Sequence, residues 1–201
     1  SNVYVSGRTQ SGDAENGGAI GGDVFAGYTF TQTMSDGITG TNAPFVIKLD
    51  EDGNLEWGTN PDGYTAYSGY SIAVNGDEVA LGTGLVGNVW DGVVFERPEG
   101  NTNEAVIVRF NKETGNVIAI EDILGIDGSF EDITALAVDN TGNYVAGGFF
   151  QTGLFINHPE IPTLTNSGGP TDFFVAQLAH TDCTETVSVE EQDFSELKIH
   201  P

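Results

Sequence analysis

Gly82-Thr83-Gly84-Leu85-Val86-Gly87 fits G-x-G-x-x-G, the spacing with which a turn after a strand lays backbone amides against a pyrophosphate. That chemistry needs a helix N-terminus directly behind the last glycine. Asn88-Val89-Trp90-Asp91-Gly92-Val93 follows instead, a β-like and glycine-broken stretch, so no dinucleotide cofactor is expected. Asp50, Asp52 and Asn54 gather hard oxygen ligands of the kind calcium takes. An EF-hand loop wants glycine at its sixth position and glutamate at its twelfth, whereas Gly53 is the fourth residue from Asp50. The spacing therefore favours a hairpin turn.

A second acidic stretch, Gly12 to Asp23, carries Asp13, Glu15 and Asp23 among glycines and is similar to calcium-binding glycine-rich repeats. It occurs once, which favours a flexible loop. Calcium stays open as a cofactor, with Asp13, Asp23, Asp50 and Asp52 as candidate ligands. His158, His180 and His200 have no metal-ligand spacing, and neither H-E-x-x-H nor G-x-S-x-G is present. Acid/base chemistry on glycosides needs only two carboxylates a few ångström apart in space, which a sequence with thirty acidic residues leaves open. Tyr64, Tyr67 and Tyr70 could stack on sugar rings but fall where strands of successive units meet, which favours packing. Trp90 and Phe95 sit in a variable loop and are the better candidates for exposed recognition aromatics.

Six basic residues against thirty acidic ones give a formal charge of −24 over 201 residues. Such a charge repels nucleic acid and anionic membrane. With 38% hydrophobic and 10% aromatic residues the chain can bury a sizeable core. Cys183 is the lone cysteine, so no intramolecular disulfide forms, and Asp182 and Glu185 beside it disfavour a thiolate. No apolar run is long enough to span a bilayer as a helix, and the start lacks the basic and apolar regions of a leader. The expectation is that a leader has been removed or that the chain is an excerpt.

The elements that would position these residues come as a repeat. Ser71 to Gly82 aligns with Ala135 to Gly147, and Asn2 to Gly7 aligns with the second half of both, Gly7 falling on Gly82 and Gly147. Each copy continues past a long loop into another apolar stretch: Ala43 to Leu49, Glu104 to Phe110, and Asp172 to Leu178. Asn75-Gly76 and Asp139 to Gly142 read as hairpin turns, as do Asp50 to Asn54 and Asn111 to Asn116. The full unit is thus four antiparallel strands, a to d. The first copy lacks strand a, and in the third Ala179 to Val189 offers only a weak strand d. The loops between b and c emerge on one face and carry the candidate binding surface.

These units resemble the repeats of exported bacterial β-propeller proteins. The residues that carry the pattern are Asp139 to Gly147, Asn2 to Gly7, Phe45 to Leu49 and Asp172 to Leu178. The resemblance implies an all-β fold of about three consecutive four-stranded antiparallel blades, over residues 1–63, 64–128 and 129–180, an incomplete propeller segment. Val187 to Glu191 followed by Phe194 to Pro201 resembles the entry to the C-terminal sorting domain of type IX secretion, with His200 in place of the usual aromatic. Residues 181–201 are then an acidic linker that packs little, leading to an absent sorting domain.

The resemblance implies a non-enzymatic secreted or cell-surface module for adhesion, assembly or ligand binding. Its expected partners are the type IX machinery, other surface proteins or polysaccharide, and further propeller segments. The rival is an exported polysaccharide-acting enzyme with its site on the b–c loop face.

Overall fold

The computed structural model describes residues 2–10, 24–30, 42–61, 70–86, 88–95, 103–123, 125, 129–156 and 158–179. The chain order is β1 (Val3–Gln10), β2 (Val24–Phe25), β3 (Tyr28–Thr29), β4 (Asn42–Leu49), β5 (Leu55–Thr59), β6 (Ser71–Asn75), β7 (Glu78–Leu85) and β8 (Asn88–Trp90). It continues with β9 (Val93–Phe95), β10 (Glu104–Asn111), β11 (Val117–Asp122), β12 (Glu131–Val138), β13 (Tyr144–Phe150), β14 (Gly153–Leu154), β15 (Leu164–Thr165) and β16 (Asp172–Leu178). The protein is all-β among the described residues. Among the described residues of 84–94 there is no helix, because Gly84-Leu85 completes β7 and residues 88–95 form a hairpin.

Three antiparallel sheets follow one another: β1-β4-β5, then β6-β7-β10-β11, then β12-β13-β16. We call them sheets 1, 2 and 3. Among the described residues only sheet 2 has four strands, and sheets 1 and 3 have three strands each.

Local chemistry explains the turns. β6 and β7 are joined by Gly76-Asp77, with Asn75 opposite Glu78 and Gly76 at φ 57°. The turn centre is thus one residue later than Asn75-Gly76, with glycine in the first central position, as a two-residue type II′ connection requires. The Asp-x-x-Gly-Asn segments close by another device. Asp50 Oδ1 accepts the amides of Asp52 and Asn54 at 2.9 and 2.7 Å, and Asp139 Oδ1 accepts those of Thr141 and Asn143 at 2.8 and 2.9 Å. Gly53 and Gly142 then adopt φ of 83° and 87°. The aspartate satisfies the amides of the reversal and the glycine supplies the left-handed residue.

The sheets pack face to face. One core layer joins sheets 1 and 2 through Val46 and Trp57 on one side and Leu81, Val106, Val108 and Phe110 on the other. A second joins sheets 2 and 3 through Ala80, Ala105 and Ile107 against Ile133, Leu136, Tyr144 and Phe174. At Gly82 the approach is so close that a Cβ would lie 2.5 Å from Ile133 Cγ2. Across the other interface the Trp57 indole lies on Gly115, where a Cβ would meet Trp57 Cδ2 at 2.7 Å, and its Nε1 donates to the Lys112 carbonyl at 3.0 Å. The far face of sheet 1 is covered by the β2–β3 hairpin, whose Tyr28 and following Phe30 pack on Phe45 and Ile47.

The pairing corrects one alignment made from sequence. Gly82 stands opposite Ile107 and Gly147 opposite Val175, but the residue opposite Val46 in sheet 1 is Ser6. β1 is thus shifted by one residue, and Gly7 falls on the other face, over the Phe45 ring. A one-residue slip exchanges the two faces of a strand, so glycine matching alone gave the wrong face.

Two glycine substitutions separate backbone from packing effects. Gly76→Val should cost more than about 1 kcal/mol through backbone strain alone, since a side chain there meets nothing within 4 Å. Gly82→Val should cost at least as much for a steric reason, because Ile133 and the sheet behind it must give way. Denaturant titration of both variants checks this, and an unchanged midpoint for Gly76→Val contradicts the turn assignment.

Candidate functional site

Of the candidate ligand-binding aromatics, Trp90 and Phe95 are not exposed: Trp90 is 0% and Phe95 8% exposed. They belong to the β8–β9 hairpin, closed by Asp91-Gly92 with φ of 50° and 77°, the two left-handed residues of a type I′ turn. The hairpin folds over the end of the sheet 1–sheet 2 core. There the Trp90 ring meets Phe110 edge-on at 5.1 Å, and its Nε1 donates to Thr59 Oγ1 at 2.7 Å. With its face packed and its donor used, Trp90 is a core residue. Tyr64, Tyr67, Asp13 and Asp23 lie outside the described residues.

Asp50 accepts the amides of its own turn, as above, and a further bond from Asn54 Nδ2 at 2.9 Å. The bonds from Asn54 and the turn amides hold its carboxyl below the usual carboxylate range. Asp139 is held low in the same way by Thr141 and the amide of Asn143. These aspartates are committed to closing turns. Asp52 is exposed at the tip of its turn. Among the described residues no group of three or more histidine, cysteine or acidic side chains is arranged to hold a metal.

The sequence missed two buried charged arrangements. Lys48, 1% exposed, sits between sheets 1 and 2 and contacts Glu56 at 2.8 Å and Glu113 at 3.1 Å. Burial pushes its ammonium down, but the bonds to Glu56 and Glu113 outweigh it and the net shift is upward. The matching position in sheet 2 is Arg109, which grips Glu78 with Nε and Nη2 at 3.1 and 3.2 Å and reaches Glu121 at 3.1 Å. Tyr144 of sheet 3 donates to the same Glu78 at 3.1 Å. Burial, and then the Glu78 charge, raise its phenol well above the ordinary value. The repeat could have pointed to this pair, since Lys48 and Arg109 align.

Glu104 and Glu131 form the second arrangement, at the starts of β10 and β12, 2% and 0% exposed. A Cβ on Gly125 would lie 2.6 Å from Glu131 Oε2 and 2.8 Å from Glu104 Oε2, so both carboxyls border one point. Two acidic groups this near could serve acid/base chemistry, and both side chains are buried.

A cavity of about 100 Å³ lies between sheets 2 and 3, walled by Ile107, Ile123, Ala146, Ala176 and Leu178, with Asp122 and His158 at its polar side. His158 Nδ1 accepts the amides of Glu160 and Ile161 at 3.2 and 3.0 Å. The ring orders its own loop.

Neither a protein-family model nor a curated protein matches this chain.

Tyr144 and Lys48 together set an alkaline limit. Both groups have folded-state pKa values raised above their ordinary ones, so their contribution is complete below the unfolded values near about 10 and is lost as pH rises through the folded ones. Stability should therefore fall above about pH 10, and Tyr144→Phe should flatten that fall. Denaturant midpoints across alkaline pH check this, and identical profiles for the two proteins contradict it.

Proposed function

We propose that the chain is a segment of a non-enzymatic β-propeller, exported to the cell surface or medium as a type IX substrate and used for adhesion, assembly or ligand binding. The observation that carries the propeller reading is the outward face of sheet 3. Phe173 is 78% and Val175 69% exposed there, opposite Phe149 and Gly147, and Phe149 stacks on Phe130 at 5.7 Å. The matching face of sheet 1 carries Val46 and Lys48 and is covered by sheet 2. That of sheet 2 carries Ile107 and Arg109 and is covered by sheet 3. A surface of this kind at the end of a stack is suited to a further sheet, and a closed propeller has about four or more.

The non-enzymatic reading draws support from the burial of Glu104 and Glu131 and from the use of Asp50, Asp139 and Trp90 in turns and packing. The export reading rests on the resemblance of residues 187–201 to a sorting-domain entry and on the acidic, soluble composition.

Retention on polysaccharides and on intact bacterial cells, measured together with release of reducing ends, tests the function. Retention without turnover is the expected result, and turnover that copurifies with the protein contradicts it. For the architecture, Phe173→Lys with Val175→Lys should leave the melting temperature of these 201 residues nearly unchanged, since both side chains are exposed. The same pair should destabilise a longer protein in which another sheet covers them, and equal indifference in both proteins contradicts the propeller.

A further inference from the structure

We propose that the cavity between sheets 2 and 3 is a binding site for a small neutral hydroxy compound with an apolar body, of the size of a phenol or a short branched alcohol. The inference deepens the ligand-binding reading above and rests on it, but it needs neither the propeller nor the export route. The cavity holds about 100 Å³, and its floor is Ile107 of β10, Ala146 of β13 and Ile123 just past β11, all buried. A dry cavity of about 150 Å³ with aliphatic and aromatic walls takes benzene, so one small ring or a few branched carbons sets the scale. Ile161 on the rim is 41% exposed, so part of such a ligand can stand in the mouth.

The outer wall is built by the loop between β13 and β16. Phe155 lines the cavity with φ of 58°, in the left-handed region that a bulky side chain rarely adopts. Its carbonyl accepts the His158 amide at 3.2 Å and the Thr163 hydroxyl at 3.4 Å, and these bonds hold the reversal. A residue in this conformation persists only where its surroundings fix it, and such residues gather at ligand sites. The loop thereby sets an aromatic ring and an imidazole against the same cavity.

The polar groups define the ligand. His158 Nδ1 accepts the amides of Glu160 and Ile161 at 3.2 and 3.0 Å, so the ring proton sits on Nε2 and the imidazole is a donor toward a molecule bound beside it. Asp122 brings a carboxylate, which is an acceptor. Gln177, the other polar side chain on the wall, donates to Asp139 at 2.6 Å. A hydroxyl can donate to the carboxylate and accept from the imidazole through one atom. A carboxylate or phosphate ligand would be repelled by Asp122 and by a chain of net charge −24. An ammonium would meet the His158 donor with a donor and would bring a charge against apolar walls. A hydrocarbon would shut solvent away from both polar groups and offer them nothing in return.

The test is a titration of the full 201-residue chain with phenol, benzene, benzoate and benzylamine, followed by methyl and imidazole NMR shifts. Phenol should give saturable shifts at Ala146, Ala176 and His158, with a dissociation constant on the order of millimolar, the range open to so small a ligand. The other three should bind at least about fivefold more weakly, which is what one net hydrogen bond is worth. Absence of saturable shifts, shifts confined to another surface, or equal or tighter binding of any of the three overturns the proposal. Ala176→Leu fills the cavity from its wall, so it should keep the melting temperature and abolish the phenol shifts at Ala146, and unchanged binding contradicts the site. His158→Asn keeps an acceptor for the two loop amides and removes the Nε2 donor. It should weaken phenol about fivefold and leave benzene unchanged, and equal effects on the two overturn the assigned donor. Retention on polysaccharides and cells is read separately, so saturable phenol binding without retention would leave this site standing, and retention without phenol binding would strike this site alone.

Discussion

How closely two sheets can approach is set by what stands between them, and here the limiting contacts are made by side chains resting on glycine. Ile133 lies over Gly82 and the Trp57 indole over Gly115. A Cβ at either glycine would lie well inside van der Waals contact with these side chains, so the absence of a side chain lets the sheets nest. Once β12 is held against the β6–β7–β10 face, the Ser71 hydroxyl can accept the Leu136 amide at 2.7 Å and Asn75 Nδ2 can donate to the Gly142 carbonyl at 2.8 Å. These bonds join one sheet to the next where hydrophobic contact alone would leave rotation free. Packing fixes the distance and the polar contacts fix the angle.

Charge is placed by the same geometry. A protein with thirty acidic and six basic residues has few cations to spend. Two of them, Lys48 and Arg109, occupy the same position in successive sheets, and each gathers two glutamates. Removing either cation would leave glutamates close together beside a core layer, which penalises the loss more than the pair's own attraction would suggest. In sheet 3 the position holds Gln177, which donates to Asp139 at 2.6 Å. A neutral side chain there goes with a face that no described sheet covers.

Much of the fold could be read from the residues and much of the candidate site could not. Alternation in Ile72 to Val74, the Asp-x-x-Gly-Asn turns and the recurrence of the apolar third strand are local signals, and they located the antiparallel sheets. The frame of β1 was misread because Gly7 matched the repeat's glycine by type, while the pairing that decides the frame is made with β4, far along the chain. Trp90 was misplaced because loop length suggested exposure. Its Asp91-Gly92 turn in fact folds a short hairpin back over the core, an outcome decided by the space left beside Phe110. Glu104 and Glu131 gave no sequence signal, since a charged residue at a strand start usually faces water. Tyr64, Tyr67, Asp13 and Asp23 lie outside the described residues.

The most direct measurement of the sheet stacking is a methyl NOE between Ile133 and the Hα protons of Gly82 in the folded chain. A Cβ on Gly82 would sit 2.5 Å from Ile133 Cγ2, so the Hα pointing that way lies in contact with the methyl and a strong cross-peak is predicted. If the cross-peak is absent from a spectrum that shows the Gly82–Ile107 and Gly147–Val175 cross-strand contacts, the sheets exist but do not stack as described, and the account fails at its foundation.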